Sequence, residues 1–189
     1  MSIDLPEAHA RALDNTHEVV VAIHSSQMGD PTPCDGWDVR TLLQHIVSGN
    51  LWVTPLVSGQ SIDDVGDRLE GDLLGADFVS AYHRSAAEAA AAFRRKGAME
   101  APCAVSYGPV PGEVYCGHRL IEALVHGWDL AVATGSQTAL PGDLVEACLA
   151  VVEPQLDMLE GSGAFGGDHT VPAGASPQVR LLALLGRAG

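Results

Sequence analysis

Between Gly112 and Gly135 the residues His118, Glu122, His126 and Asp129 recur at i, i+4, i+8 and i+11. At roughly 100° per residue they fall within one narrow arc of a helix. Val114, Ile121, Val125, Trp128 and Val132 flank them, which predicts a polar stripe lining a buried groove. Ionisable groups in such a place are costly unless they are paired, hydrogen-bonded or bound to a metal. Glu122 and His126 stand one turn apart, so their side chains can close on a single cation. A third donor has to come from another helix, and His45, at the edge of an apolar arc beside Gly49 and Trp52, is placed to supply it. Two histidines and one carboxylate are the donor set of zinc with an open fourth position, or of non-haem iron(II). On the residues alone two readings stay open: a metal site, or core histidines satisfied by carbonyls and by Glu122. Asp129 is placed to orient a ligating imidazole. His118 reads as a surface residue, ahead of a supporting donor or a fourth ligand.

The elements that must carry these residues are helices. Leu5 to about Ser26 has helical apolar spacing, with Leu13, His17, Val20, Val21 and Ile23 facing inward. Met28 to Asp35 contains Gly29, Pro31 and Pro33 and predicts a loop. A second helix starts at Asp38 or its neighbour and runs to about Val57, stopping at Ser58-Gly59, with Leu42, Leu43, Ile46, Val47, Val53 and Val57 in its core arc. Asp63 to Asp77 reads as an acidic surface loop with a short helical turn. The alanine-rich run Phe78 to Arg95 is a strong helix former whose basic end complements the helix dipole. Pro102 to Gly112 is a connection with an extended piece around Ala104 to Tyr107, and the stripe-bearing helix follows. A fifth helix over Gly142 to about Leu159, a Gly-rich stretch from Gly161 to Gly174 and an apolar end, Val179 to Leu185, complete the chain.

At 189 residues, without repeats, charge blocks or a Ser-rich linker, one domain over 1–189 is expected. Abundant alanine and few aromatic or β-branched runs favour an all-α class. A net charge of -14 argues against phosphate backbones and anionic membranes as partners. No apolar run approaches the ~18 residues a membrane span needs, and Met1 to Ala10 carry no secretory pattern, so a cytoplasmic protein is expected. Cys34, Cys103, Cys116 and Cys148 form no Cys-x-x-Cys pair and read as buried or free thiols; the minority reading puts one of them beside the site. Gly36-Trp37 and Gly163 to Gly167 make no phosphate loop, and no Gly-x-Ser-x-Gly elbow is present. His9, His17, His24, His83 and His169 read as packing or surface residues.

Three blocks carry a wider resemblance. They are Thr32-Pro33-Cys34-Asp35-Gly36-Trp37-Asp38-Val39-Arg40, then Leu43-Gln44-His45 with Gly49-Asn50-Leu51-Trp52, then Leu124-Val125-His126-Gly127-Trp128-Asp129-Leu130-Ala131 with Ala133-Thr134-Gly135. With the ending Leu181-Leu182-Ala183-Leu184-Leu185-Gly186-Arg187, they resemble the DinB-like superfamily, in the actinobacterial branch related to the N-terminal domain of mycothiol-dependent maleylpyruvate isomerase. The resemblance implies a DinB-like four-helix bundle, here with an extra C-terminal helix and an irregular tail. It also implies a divalent metal, zinc first and nickel or iron as alternatives, held by His45, Glu122 and His126. Some relatives use such a metal to activate the thiol of mycothiol or bacillithiol, because three protein ligands leave a position at which a thiol can bind and lose its proton.

The reading that follows is a metal-dependent thiol transferase or isomerase acting on a small molecule, with mycothiol as cosubstrate, Trp52 as a pocket wall and Asp129 near the cofactor. The chain ends without the second domain of the maleylpyruvate isomerase, so an arginine supplied there is not expected, and no acid, base or anion clamp stands out. A non-catalytic metal or small-molecule binding bundle is the alternative. A hydrolase with Asp129 or His118 as proton acceptor and a non-haem iron oxygenase are further options. Pairing of two copies through helix faces is compatible with the resemblance, giving a homodimer.

Overall fold

The computed structural model describes residues 4–106, 108–156 and 170–187. By its internal contacts the chain divides into two compact units, Met1–Thr138 and Ala139–Gly189.

The first unit is built on four long helices. In α1 (Leu5–Ala22) the Asp4 side chain accepts a hydrogen bond from the Glu7 amide and Pro6 occupies the first turn, where its missing N–H costs nothing. α2 spans Val39–Val57, capped by Asp38, whose Oδ1 accepts from the Thr41 amide at 2.8 Å. A short α3 (Ile62–Val65) and a 3-10 turn (Gly66–Leu69) lie within the acidic stretch. α4 spans Phe78–Phe93, and α5 spans Gly112–Thr134 and ends on a left-handed Gly135. α1 packs on α4 and α5, and α2 packs on the same two, so the four helices close into a ring. Their shared core includes Leu13, Leu42, Leu43, Ile46, Tyr82, Phe93, Leu120, Leu124 and Leu130.

Between α4 and α5 the chain forms a hairpin. β1 (Pro102–Val105) pairs antiparallel with β2 (Gly108–Pro111), with Cys103 opposite Val110. The extended piece expected around Ala104 therefore exists and has a partner strand; Tyr107 lies outside the described residues. β1 rests on α2 and α5, at the part of the bundle that carries the site.

Two details of the first unit differ from the periodicity. α1 stops at Ala22 instead of running to about Ser26, because Gln27 organises a separate 3-10 turn: its Oε1 accepts from the His24 amide at 2.9 Å and its Nε2 donates to the Thr134 carbonyl at 3.1 Å. Val21, expected inward, is exposed while Val19 and Val20 are buried, and in α2 Leu56 takes the buried place assigned to Val57.

In the second unit α6 (Gly142–Val152) passes into a 3-10 turn (Glu153–Gln155) at Pro154; Leu159, where the helix was expected to end, lies outside the described residues. The end of the chain, expected to be irregular, contains α7 (Pro177–Leu184), with Ser176 Oγ accepting from the Val179 amide and Pro177 in the first turn. α6 and α7 pack on one another. Most of the Gly-rich stretch, including Gly163 to Gly167, lies outside the described residues, as does His169. No helix among the described residues is long and apolar enough to cross a membrane.

Candidate metal centre

α2 and α5 run side by side, and this brings His45 to the stripe. His45 Nε2 and His126 Nε2 both face one oxygen of Glu122, Oε2, at 3.0 and 3.2 Å. One ligand atom from each of the three residues lies within 4.8 Å of the others. Nitrogen–oxygen separations near 3 Å approach the edge of about 3.3 Å that a tetrahedral site with ligand distances of 2.0–2.1 Å requires. The donor set suits a divalent cation, whose place would be that of the protons now shared between Glu122 and the two imidazoles.

The second face of His126 is also occupied. Its Nδ1 lies 2.9 Å from Asp129 Oδ2, one turn on along α5. Asp129 is fully buried and accepts a second hydrogen bond from Cys34 Sγ at 3.3 Å, and Cys34 Sγ is 3.8 Å from His126 Nδ1. A carboxylate at Nδ1 keeps the proton on that nitrogen in the neutral ring and leaves the Nε2 lone pair facing Glu122 and His45. Asp129 thus meets His126 as the spacing anticipated, and Cys34 is the one thiol beside the site. Cys103, Cys116 and Cys148 are buried and free; burial pushes the thiols of Cys116 and Cys148 up to about 12.

Electrostatics hold the cluster in its ionised form. Burial opposes a charge on Glu122, but hydrogen bonds from His126 and His45 and the positive charges of His126 and Arg119 outweigh it and keep the carboxyl well below its ordinary range. Burial likewise opposes protonation of His126, yet its contacts with Asp129, Cys34 and Glu122 hold its pKa well above the usual imidazole value.

The loop before α2 supplies a wall that the periodicity could not find. Thr32 Oγ1 donates to the Trp37 carbonyl at 2.9 Å and the Trp37 amide donates to the Cys34 carbonyl at 3.0 Å, closing a tight turn. That turn sets the Trp37 ring 4.9 Å from His45 and 6.3 Å from His126, centroid to centroid. On the other side a cavity of about 440 Å³ opens, bordered by His45, Gly49, Trp52, His118, Arg119 and Glu122. Trp52 is the expected wall residue; His118, read from sequence as a surface residue, borders the cavity as well. Arg119 lies off the arc of the stripe, and its one signal in the sequence is the i, i+3 spacing to Glu122. It is buried, with Nη1 3.8 Å from Glu122 Oε2.

Residues 9–131 match the family model described as "Mycothiol maleylpyruvate isomerase N-terminal domain". Uncharacterized proteins from two Mycobacterium tuberculosis strains, CDC 1551 / Oshkosh and ATCC 25618 / H37Rv, are each 34% identical over 95% of this chain and 96% of their own length. Among solved structures, the mycothiol-dependent maleylpyruvate isomerase superposes with a TM-score of 0.62 at 18% identity. A histidine-to-alanine mutant of the isomerase gives 0.64 at 17% identity. Each match covers 88% of this chain and 75% of the other, and shows a shared DinB-like helical fold.

Proposed function

From the premise that the chain belongs to the mycothiol maleylpyruvate isomerase N-terminal domain family, we propose that it is a divalent-metal protein, zinc first, which uses a mycothiol-type thiol to transfer or isomerise a small molecule. The ligands are His45, Glu122 and His126. The observation that carries the reading is the convergence of three donor atoms, from two helices, on a point bordered by an open cavity. The solved relatives are named for dependence on mycothiol and for action on maleylpyruvate; the same class of cosubstrate is proposed here.

When bound, a divalent ion at this point supplies a Lewis acid that lets a thiol lose its proton near neutral pH. The chain's own residues do the rest. Asp129 holds His126 in the tautomer whose Nε2 lone pair faces inward, Trp37 covers His45 from the loop side, and Trp52 offers an apolar wall to the substrate. A hydrolase with Asp129 as proton acceptor fits less well, because that carboxylate is fully buried and lies on the Nδ1 side of His126.

Metal content by mass spectrometry on tag-free protein, beside His45→Ala, tests the centre. About one ion per chain in the parent, lost in the variant, is expected of a three-ligand site. No ion after supply of zinc, iron or nickel would overturn it. Thiol binding is tested on cobalt-substituted protein: mycothiol should produce a sulfur-to-cobalt charge-transfer band, and an unchanged spectrum would reduce the protein to a metal-binding bundle. Paired screening of electrophiles with mycothiol then distinguishes transferase from isomerase.

A further inference from the structure

Among the described residues Arg119 is the one strong cation at the cavity, and its surroundings leave it short of partners. Its side chain is 9% exposed, its Nε has no hydrogen-bond partner, and its nearest counter-charge, Glu122 Oε2, lies at 3.8 Å, beyond hydrogen-bond reach. A guanidinium carries five N–H donors in a planar fork, and burying it with the fork unfilled is costly. The position is nevertheless built. A Cβ placed on Gly49 would lie 2.5 Å from Nη1, 2.5 Å from Nη2 and 2.6 Å from Cζ, so the guanidinium plane lies face-on against the bare Cα of α2. With a side chain at position 49 the guanidinium would have to leave this place.

Charge at the cavity sharpens the point. Among the described residues Glu122 is the sole carboxylate bordering it, and on the reading above that carboxylate is taken up by the two imidazoles and the ion. A divalent ion with one carboxylate keeps one positive charge, and Arg119 adds a second. A thiolate neutralises one of these and leaves the other. The whole chain carries 24 acidic against 10 Lys and Arg residues, yet among the described residues only Glu122, at 3.8 Å, lies within ion-pair distance of this cation. Trp52, Leu56 and Tyr115 line the same cavity and suit an apolar body attached to the anionic group.

We propose that Arg119, seated on Gly49, is an anion clamp that receives the carboxylate of a small acid bound beside the metal, the acid being the substrate that the thiol attacks. A carboxylate can accept two parallel N–H bonds from the fork, which fixes the orientation of the acid as well as its charge. Arg119 is therefore a binding residue that selects acids over their neutral isosteres. The proposal deepens the thiol-transferase or isomerase reading and rests on it for the role of the ligand, though the clamp itself lies in residues outside the metal ligand set.

The test compares phenylacetate with phenylacetamide by calorimetry on zinc-loaded and on metal-free full-length protein. In the parent the acid should bind about tenfold tighter than the amide or better, in keeping with a charge-assisted hydrogen bond, and Arg119→Met should abolish that preference. Arg119→Gln removes the charge and keeps a polar side chain, so it should lose the preference too; it keeps the test decisive should Arg119→Met fail to fold. A preference for the acid that persists in either folded variant, or no preference in the parent, would overturn the clamp. The metal-free arm separates the two claims: failure of the metal centre shows in metal content, whereas the Arg119-dependent preference for the acid should survive removal of the ion.

Discussion

His126 has a different task at each ring nitrogen: Nε2 faces Glu122 at 3.2 Å and Nδ1 faces Asp129 at 2.9 Å. Asp129→Asn alters the second contact almost without changing its shape, yet an amide NH₂ turned toward Nδ1 would favour the tautomer with its proton on Nε2, where a metal needs a lone pair. Zinc affinity, measured by competition with a chromophoric chelator, should fall about 10- to 100-fold in this variant, as is usual when the partner of a ligating histidine is lost. An unchanged affinity would mean that Asp129 does not set the ring. The meeting of Glu122, His126 and Asp129 was legible because helix spacing alone brings them together. The packing of Trp37 and Cys34 against this cluster was not legible from periodicity, since it depends on a tight turn held by Thr32, and Arg119 escaped because its place depends on a glycine one helix away.

At the scale of elements, helix starts are set locally by caps: Asp38 before α2 and Asp77 before α4 accept amide hydrogen bonds from Thr41 and Ser80. The end of α1 was harder, since the residue that breaks it, Gln27, does so by reaching Thr134, more than a hundred positions away. Close helix contacts are equally silent in periodicity. Gly127 lies in the stripe helix where α1 approaches α5, and a Cβ there would stand 2.1 Å from Thr16 Oγ1. That hydroxyl donates to the Ala123 carbonyl at 2.8 Å, so it cannot yield without giving up a buried hydrogen bond. Gly127→Ala should therefore cost about 1–3 kcal/mol in urea unfolding, the usual range for overpacking. Thr16→Ala in the same chain removes the clashing oxygen and should recover part of that loss. Simple additivity of the two substitutions would show that the cost arises elsewhere.

For the molecule as a whole, the balance of charge and burial determines how stability responds to acid, and His9 isolates one part of it. Its place in α1 reads from sequence as a packing or surface position, and the ring is fully buried, edge-on to Phe93 at 5.0 Å between centroids, with neither nitrogen hydrogen-bonded. Burial first, and then the charges of Arg119 and Arg94, depress its pKa from 6.5 to about 3. Unfolded, the ring takes up a proton near pH 6.5; folded, it refuses one until about pH 3. The unfolded state therefore binds more protons throughout that window, and His9 withdraws stability as pH falls through it. Other groups respond in their own ways: the raised pKa of His126 favours the fold below neutrality, and protonation of carboxylates relieves the repulsion of a chain at -14. Comparison with His9→Leu cancels those shared responses. The advantage of the leucine variant in urea unfolding should grow by about 2 kcal/mol between pH 7 and pH 5, as one proton is excluded over most of that interval. A difference that stays flat across those pH values would mean that the buried ring accepts a proton in the folded state, and that water or a carbonyl reaches a nitrogen this packing leaves unpaired.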